Sequence, residues 1–450
     1  MEIACGGSLR VSITTLGCKS NQYDSSAIED ILRQNNFEIA SSSASADVFI
    51  VNTCTVTGKA DYQSRQLIRR AKAENPDAII VVTGCYAQVT AQEVAQIEGV
   101  DYIIGNPEKG KILQYINEGK RKSPRIEIGE VSSERSLGLR AKGSSGRTRS
   151  YLKVQDGCNN SCSYCIIPKA RGVSRSLPVP EILQEIESLV ADGYKEIILT
   201  GIHLGAYGLD LTVKGNRQSG HSANIAILIR EIDRRNYPCR FRISSLDPDE
   251  VSDELIEIIA DSRTICNHLH LPLQSGDDNV LQRMNRLCIG RLFAEQVEKI
   301  AKMIPDVSIG VDIIAGFPGE GEKEFSNTYN LLNNLPISYM HIFPFSKRKG
   351  TLAADFPDQV EAKGIKERCE RLRALDKIMR RRFCKKFIGK SLSVLVEASR
   401  DKETGFFMGR SKNYIPFLVK DDDAVENQEI DVVGIEIRNN KVLGTCLLDS

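Results

Sequence analysis

The chain has 450 residues, a length that suggests about three domains. Its 41% hydrophobic and 26% charged residues are typical of a globular protein, and a net charge of +1 excludes a uniformly basic nucleic-acid binder. The sequence contains no run of about 18 apolar residues and no recognisable signal peptide, so we expect a cytoplasmic protein with no membrane span. In a chain that is not secreted, 13 cysteines indicate metal or redox chemistry rather than disulfides.

Residues 10–120 alternate short β-branched runs with helical patterns, which predicts a βαβαβ arrangement around a parallel sheet. Three of the runs end alike, with small or polar residues followed by a cysteine. The runs are residues 11–18, 48–54 and 79–85, and the helical patterns are residues 25–35, 59–74 and 90–98.

The cysteines that end these runs are Cys18, Cys54 and Cys85, which we call the N-terminal triplet. The carboxyl ends of parallel strands share one edge of the sheet, where ligands bind. One cysteine in such a position would most often be a buried core thiol. Three in the same position favour a shared centre, and we interpret them as three ligands of one iron–sulfur cluster with one site open.

Residues 118–150 are basic, rich in serine and glycine, and weakly patterned, which predicts an interdomain linker. Its basic residues fit a solvated tether and an arm that contacts phosphates equally well. The predicted division is an N-terminal domain at 8–125, a linker at 126–145, a second domain at 146–385 and a third at 386–450.

A second cysteine group, Cys158, Cys162 and Cys165, has the spacing Cys-x3-Cys-x2-Cys, and we call it the loop triplet. Such a tight group can surround one metal centre by itself and leaves one position open on zinc or on a four-iron cluster. A structural zinc site would need a fourth ligand, and the next cysteine is Cys239. Zinc with a remote ligand is the main alternative, and a loop without metal is a weaker one.

Residues 149–346 repeat six strand-then-helix units, which predict an open, partial (βα)6 barrel. In βα barrels the functional residues gather on the loops after the strands, and the loop triplet follows the first predicted strand. The predicted strands are residues 150–154, 196–200, 240–244, 268–271, 308–314 and 339–343, and helices between them include residues 180–192, 252–261, 291–303 and 322–335.

Residues 361–390 contain 12 Lys or Arg and 4 Asp or Glu, a pattern that predicts a basic amphipathic helix. A phosphate-facing surface is somewhat favoured over a packing helix because the excess is one-sided. Residues 391–450 hold short β-like runs between turns, which predict a small antiparallel β-barrel.

The predicted β-barrel interleaves aromatic and basic residues, as an RNA-binding face would. It also holds 11 acids and 7 bases, including Asp421, Asp422 and Asp423, so any contact with nucleic acid must use one face. The interleaved residues are Phe406, Phe407, Arg410, Lys412 and Tyr414.

The loop triplet, with the aromatic Tyr164 before its third cysteine, resembles the loop of radical S-adenosylmethionine (SAM) enzymes. The resemblance covers nearly the whole chain and is to the methylthiotransferases, which replace a C–H bond by C–S–CH3. It implies an α/β architecture of a three-cysteine N-terminal domain, a radical SAM barrel and a small β-barrel of the TRAM type. The strings that carry it are TLGCKSNQYDS, NTCTVTGKAD, TGCYAQ, YLKVQDGCNNSCSYCIIPKARG, HLHLPLQSGDDNVLQRMNR, DIIAGFPGE and FPFSKRKGT.

The same resemblance implies SAM and two 4Fe–4S clusters as cofactors, with all six cysteines serving catalysis as metal ligands. The loop triplet would hold the cluster that binds SAM and yields the 5′-deoxyadenosyl radical. The N-terminal triplet would hold an auxiliary cluster, whose open iron carries the sulfur of the methylthio group. The residues it suggests for the SAM pocket are Tyr164, Gly201, His203, Ser245, Gln274, Asp312, Gly316 and Phe317.

Two of these pocket residues carry separate expectations. For His203, lining of the pocket and ordinary core packing have equal weight. Asp312 interrupts an apolar strand and must have a partner, because an unpaired buried carboxylate is costly.

Branches of the family differ in substrate, and TLGCKSNQYDS and NTCTVTGKADYQSR look like the branch that acts on N6-threonylcarbamoyladenosine beside a tRNA anticodon. Lys19-Ser20-Asn21 differs from the Gln-Met-Asn of the isopentenyladenosine branch. Thr55-Val56 differs from the Gly-Phe of the branch that modifies an aspartate of a ribosomal protein. Ser20 replaces the usual valine, and Asp277 stands where related sequences often have cysteine, but neither is a proposed ligand.

We therefore expect insertion of a methylthio group at C2 of that adenosine, with tRNA and an electron donor such as flavodoxin or ferredoxin as partners. The sequence does not identify the sulfur donor, the tRNAs or the oligomeric state. The other two substrates remain alternatives, as does a non-catalytic iron–sulfur or zinc module that binds RNA.

Overall fold

The computed structural model describes residues 9–40, 46–141, 148–211, 223–420 and 426–446, so Asp421, Asp422 and Asp423 of the predicted acidic run lie outside it. Packing divides the chain into two compact units. The first contains Met1–Ser144, Tyr151–Leu177 and Ser346–Ala354, and the second contains Ser145–Ser150, Pro178–Phe345 and Asp355–Ser450.

The first unit is built on a parallel sheet of six strands, which lie in the order β2-β1-β3-β4-β5-β6. Four helices accompany the sheet. The strands are β1 (Arg10–Thr15), β2 (Glu38–Ile39), β3 (Val48–Thr53), β4 (Ile79–Gly84), β5 (Tyr102–Ile104) and β6 (Arg125–Glu127), and the helices are α1 (Lys19–Gln34), α2 (Gly58–Glu74), α3 (Cys85–Ala95) and α4 (Ile112–Glu118).

Alternate side chains of β3 enter two separate cores, which explains its unbroken apolar sequence. Val48 and Ile50 pack with residues of α1 and α4, whereas Phe49 and Val51 pack with residues of α2 and α3. The sheet is therefore covered by helices on both faces, as the βα alternation predicted.

The three predicted strands and helices of this region are all present, and the prediction of a parallel sheet is confirmed. The sequence missed β2, β5 and β6, which have only two or three residues each. Helix α1 begins six positions earlier than the predicted residue 25, because Ser20, Asn21 and Asp24 are buried polar residues that break the apolar pattern.

Residues 151–177 add short elements to the first unit. Strands β8 and β9 pair antiparallel and bracket the loop triplet. The elements are β7 (Arg149–Lys153), which begins in the second unit, β8 (Gln155–Asp156), α5 (Ile167–Arg171) and β9 (Arg175–Ser176).

The second unit alternates parallel strands with helices, which confirms the predicted βα rhythm. Single bridges, Phe241 with Ile265 and Ser245 with His270, connect its two strand groups. The strands are β10 (Glu196–Thr200), β11 (Arg240–Ile243), β12 (His268–His270), β13 (Ser308–Ala315) and β14 (Tyr339–Pro344), and the helices are α6 (Val179–Ala191), α7 (Ile225–Arg234), α8 (Asp253–Asp261), α9 (Asp278–Arg283), α10 (Gly290–Met303), α11 (Glu322–Asn334) and α12 (Ala362–Lys385).

The basic pattern at 361–390 is confirmed as helix α12, which packs Leu372, Leu375 and Met379 inward. In the described part of the chain, no helix is both long enough and apolar enough to cross a membrane.

A closed five-stranded barrel follows, with strand order β15-β16-β17-β19-β18. The predicted small antiparallel β-barrel is confirmed, and its pairs are antiparallel except for β17 with β19, which is parallel. The strands are β15 (Ser391–Arg400), β16 (Phe407–Ser411), β17 (Pro416–Val419), β18 (Glu429–Arg438) and β19 (Lys441–Cys446).

Several of the aromatic and basic residues predicted as an RNA-binding face make contacts within the second unit. Phe407 is 9% exposed and belongs to the barrel core. The Arg410 guanidinium lies 4.2 Å from the ring centre of Tyr414. Lys412 Nζ donates to the carbonyl of Arg263 at 2.8 Å. Phe407 is therefore buried in the core and cannot stack on a base, whereas the RNA-binding face stays a prediction for the other four residues, which are partly exposed.

Glu196 on β10 organises the contact between the βα strands and the small barrel. Its fully buried carboxylate accepts from Arg240 Nε at 2.7 Å and from Arg242 Nη2 at 2.9 Å. Arg240 also donates to the carbonyl of Arg410 at 2.7 Å, and Arg242 donates to that of Lys412 at 3.0 Å. One carboxylate thus holds two guanidinium groups that both bind the β16 end.

Replacing Glu196 by glutamine should lower the free energy of unfolding by about 3–5 kcal/mol, because two buried guanidinium groups lose their counter-charge. Urea denaturation followed by circular dichroism measures the change. Glu257→Gln, on the exposed side of α8, is the control and should change the free energy by less than about 0.5 kcal/mol.

The difference in the free energy of unfolding between wild type and Glu196→Gln should depend on pH. Burial raises the pKa of Glu196, but Arg242 and Arg240 more than reverse this and hold it well below its ordinary value. The stabilisation is therefore complete above the unfolded pKa of about 4.3 and is lost as the pH falls toward the folded pKa. A difference between wild type and Glu196→Gln that does not shrink below about pH 4 would contradict this assignment.

Candidate metal centres

The N-terminal triplet lies at the carboxyl ends of three adjacent strands, β1, β3 and β4, as the sequence predicted. Cys18 precedes α1 and is exposed, Cys54 follows β3 and is 7% exposed, and Cys85 begins α3 and is 3% exposed. Burial, reinforced by Cys85 and Cys18, raises the pKa of the Cys54 thiol to about 12. Three thiols gathered at one edge of the sheet fit the ligand set of an iron–sulfur cluster with one open iron.

Gly17 allows the first two of these cysteines to approach. Its φ is +106°, and a Cβ there would lie 2.8 Å from Cys54 Cβ and 3.0 Å from Cys54 Sγ. Any larger residue at this position would therefore push Cys54 away from Cys18.

Two asparagines lock the strand-end loops that carry the triplet. Asn21 Nδ2 donates to the carbonyls of Leu16 and Thr53, at 2.7 and 2.9 Å. Asn52 Nδ2 donates to the Asn21 carbonyl and to Ser25 Oγ, each at 2.9 Å. These bonds join the loops after β1 and β3 and so fix two of the three cysteines.

The loop triplet lies on a turn that its own backbone closes. Cys158 N–H donates to the Gly172 carbonyl at 3.0 Å, and Cys165 N–H donates to the Cys162 carbonyl at 3.0 Å. Cys158 Sγ also accepts from Asn160 N–H at 3.4 Å. All three cysteines are partly exposed. Three thiols of this kind on one turn fit a cluster that keeps an open iron.

Six buried charged side chains of the first unit form one connected cluster, which we call the ion network. Asp24 on α1 accepts from Lys109 Nζ and from Lys153 Nζ, each at 2.6 Å. The side chains of this trio are only 3–4% exposed. The members of the network are Asp24, Asp156, Lys109, Lys153, Arg171 and Arg175.

Arg171 is the member of the ion network that connects the two triplets. Its side chain is 1% exposed and donates to both oxygens of Asp156, at 3.1 and 3.0 Å, just before the loop triplet. It also donates to Asp24 Oδ2 at 3.1 Å and to the amide oxygen of Asn21, both on the helix that follows Cys18. One guanidinium group therefore fixes the loop triplet against the N-terminal triplet.

The charges of the network are interdependent. Burial raises the pKa of Asp24, but Lys109, Lys153 and Arg171 reverse this and hold it well below its ordinary value. Burial lowers the pKa of Lys109, and Arg171 lowers it further, against the attraction of Asp24. The network as a whole contains four cations and two carboxylates.

Of the residues suggested for the SAM pocket, Asp312 on β13 has the partners that its position requires. Its Oδ1 lies 2.9 Å from His270 Nε2 and 3.2 Å from His341 Nδ1. Burial raises its pKa, but His270 and then His341 reverse this and hold it well below its ordinary value.

His203 is partnered by acids rather than packed in an apolar core. Its Nε2 lies 2.6 Å from Glu250 Oε1 and 3.8 Å from Asp247 Oδ2. Gly201, at the end of β10, is half-buried two positions earlier.

Ser245 and Gln274 each form a single strand bridge, with His270 and Ile313 respectively. Gln274 has the left-handed φ of +73° and donates its N–H to the carbonyl of Asp312 at 2.8 Å. Both residues therefore extend the strand edge at Asp312.

Gly316 N–H donates to Glu320 Oε1 at 2.8 Å. Phe317 is fully buried, with ring centres of Phe345 and Phe356 at 5.4 and 6.2 Å, so its side chain packs the core. Tyr164 is half-buried within the loop triplet.

The sequence analysis missed every member of the ion network. Asp24 and Arg171 lie within the sequence strings that carry the family resemblance. In a sequence, however, a charged residue is as compatible with an exposed surface position as with a buried ion pair. The sequence did offer one indication that Asp24 is buried and paired. It lies on the buried side of α1 together with other polar residues.

Asp24→Asn should destabilise the protein by about 3–5 kcal/mol, because three buried cations lose the carboxylate they share. Iron retained after anaerobic reconstitution should fall with it, since Arg171 loses one of its two anchors. Glu29→Gln on the same helix is the control. Equal stability and iron content in the Asp24 and Glu29 variants would show that the network does not support the triplets.

Comparison with known proteins places these features in a family. A model described as uncharacterized protein family UPF0004 matches residues 10–105, which contain the N-terminal triplet. The radical SAM superfamily model matches residues 152–332, which contain the loop triplet. The two matches thus correspond to the two candidate metal centres.

Similar proteins extend over nearly the whole chain. The threonylcarbamoyladenosine tRNA methylthiotransferase MtaB of Bacillus subtilis is 40% identical over 415 residues, 91% of this chain and 90% of the relative. The tRNA-2-methylthio-N(6)-dimethylallyladenosine synthase of Carboxydothermus hydrogenoformans is 34% identical over 409 residues, 89% of this chain and 90% of the relative.

Among solved structures, the radical S-adenosylmethionine methyltransferase TsrM of Kitasatospora setae shares the fold. Its TM-score is 0.54 at 16% identity, and the match covers 77% of each chain. Because the identities to full-length relatives reach 34–40% over about nine-tenths of the chain, the protein belongs to the radical SAM methylthiotransferase family.

Proposed function

We propose that this protein inserts a methylthio group at C2 of N6-threonylcarbamoyladenosine beside the anticodon of tRNA. The observation that carries the proposal is the pair of cysteine triplets joined through Arg171 in one compact unit. Sulfur insertion at an unreactive carbon needs a radical source and a sulfur source held together, and two open clusters supply both.

The protein uses SAM and iron–sulfur clusters, and the cysteines are proposed as their ligands. Cys158, Cys162 and Cys165 would hold the cluster that supplies the radical chemistry with SAM, and the N-terminal triplet would hold the auxiliary one. The chain's own contribution is geometric, because Arg171 and the backbone bonds of the loop triplet restrict where each cluster lies.

Residues of the second unit are proposed to contact SAM. Gly201, Ser245, Gln274 and Gly316 offer backbone close to strand ends, where a ligand can approach. His203 and Asp312 offer polar groups already oriented by partners. Tyr164, which directly precedes the third cysteine of the loop triplet, is also a proposed contact. For Phe317, packing against Phe345 favours a supporting role beneath the pocket.

The domain division at 8–125, 126–145, 146–385 and 386–450 is part of the same proposal, with the last segment as a TRAM-type barrel. The choice of threonylcarbamoyladenosine is supported by the 40% identity to the Bacillus subtilis enzyme, against 34% to the dimethylallyladenosine synthase. Reaction with tRNA would take place in the cytoplasm, with flavodoxin or ferredoxin as the electron donor.

Deletion of the gene should remove the 2-methylthio mark from threonylcarbamoyladenosine while leaving threonylcarbamoyladenosine itself in the tRNA. Mass spectrometry of nucleosides from tRNA of cells with and without the gene measures this. An unchanged tRNA profile would refute the substrate. If ribosomal-protein peptides lost a methylthio mark instead, the reaction would stand and the substrate class would change.

The division of labour between the triplets predicts different phenotypes for two alanine variants. Cys54→Ala should still cleave SAM with dithionite but make no methylthio product, whereas Cys162→Ala should lose both activities. Iron analysis should give about eight irons for the reconstituted wild type and about four for each variant. Loss of SAM cleavage in a Cys54→Ala protein that retains four irons would contradict the division.

A further inference from the structure

A cavity of about 150 Å³ in the first unit is lined by the cations of the ion network. Asp24 and Asp156 also line it, but their oxygens are already shared among those cations. Glu134, the third acid on the wall, is only half-buried. The buried lining therefore has more positive than negative groups. The cations are Lys109, Lys153, Arg171 and Arg175.

Two polar atoms of residues that line this cavity have no hydrogen-bond partner in the described part of the chain. They are the donor Arg171 Nε and the acceptor Asn106 Oδ1, and both are buried. The orientation of the Asn106 amide is fixed, because its Nδ2 donates to the carbonyl of Ala170 at 2.6 Å. Since buried polar groups are normally paired, a free donor and a free acceptor on one wall indicate a ligand with both kinds of group.

The cavity wall is also bonded to the helix that follows Cys18. Arg171 donates to Asp24 Oδ2 at 3.1 Å and to the amide oxygen of Asn21, both on α1. Lys109 Nζ donates to Asp24, a carboxylate that it shares with two other cations of the network. A ligand in this cavity would therefore lie beside α1, which begins directly after Cys18, and an anionic group on it would give Lys109 a partner of its own.

We propose that this cavity receives the threonylcarbamoyl group of the tRNA base, with its carboxylate at Lys109 and Arg171. The inference rests on the proposed function and names the part of the substrate that the site recognises. The threonylcarbamoyl group has a carboxylate for the cations, and its hydroxyl and N–H can donate to Asn106 Oδ1. A small inorganic anion would use the cations alone and leave that acceptor unpaired.

The same chemistry explains selection against an isopentenyl substituent. That group is apolar and uncharged, so it would desolvate Lys109 and Arg171 without giving them a partner. Sites built to bond a polar group reject analogues that lack it far more strongly than apolar pockets reject an extra methylene. Discrimination would thus come from cations that only the correct substrate can satisfy.

The test is RNA binding by the reconstituted holoenzyme under anaerobic conditions. The probes are two anticodon stem-loop RNAs, one with threonylcarbamoyladenosine and one in which the threonine carboxylate is a carboxamide. Wild type should bind the carboxylate RNA at least about tenfold more tightly, the effect of one hydrogen-bonded charge. Lys109→Met and Lys153→Met should each reduce this ratio toward one.

Lys111→Met is the matched control, because Lys111 is exposed, lies two residues from Lys109 and is not part of the cavity wall. It should keep the wild-type ratio of affinities, even if the loss of attraction to phosphates weakens the binding of both RNAs. If the Lys109→Met protein does not retain iron or does not unfold cooperatively, the Asn106→Asp variant is tested in its place. The added carboxylate should repel the carboxylate of the substrate and lower the ratio.

Three results would overturn the proposal. They are a wild-type ratio of one, an unchanged ratio in the folded cavity variants, and an equal fall in Lys111→Met. Each is separable from failure of the proposed function, which the tRNA nucleoside profile decides. An enzyme that methylthiolates threonylcarbamoyladenosine but binds both RNAs equally would keep its function and lose this site.

Discussion

The contact on which the first unit depends is the Arg171 guanidinium between Asp156 and Asp24. It joins the turn of the loop triplet to the helix that follows the first cysteine of the N-terminal triplet. An arginine suits this position because its planar fork can bind two carboxylates at once, whereas a lysine offers a single point of charge. A buried ion pair is weak support for stability in general, but removing one partner of it is costly. The network therefore acts to fix the geometry between the two cysteine triplets.

The second unit uses the same device for a different purpose. Glu196 holds Arg240 and Arg242, and these reach carbonyl groups of the small barrel. In both units a buried carboxylate orients guanidinium groups that bind a neighbouring element. Because each guanidinium has five donors in a fixed plane, such contacts specify one orientation and not merely attraction.

A cationic cavity beside a sulfur-transferring centre has a clear chemical use. Clusters with thiolate ligands are anionic, so nearby positive charge lowers the cost of bringing a further anion close to them. Lys109 and Arg171 would then serve two tasks, which are balancing the auxiliary cluster and receiving the carboxylate of the base. This joint role would explain why the buried lining holds more cations than its own acids can neutralise.

The sequence by itself determined the chemistry and the elements. Cysteine spacing identified both triplets, and the β-branched runs ending in Cys18, Cys54 and Cys85 were enough to place them on one sheet edge, because parallel strands share their carboxyl ends. Only the tertiary structure revealed Arg171, Asp24 and Lys109 as partners. Their separations of 85 and 147 residues leave no local pattern, and a charge looks the same in a sequence whether it is hydrated or buried against another. Pairing across such distances is decided by packing, which also placed Phe407, predicted as part of an RNA-binding face, in the barrel core.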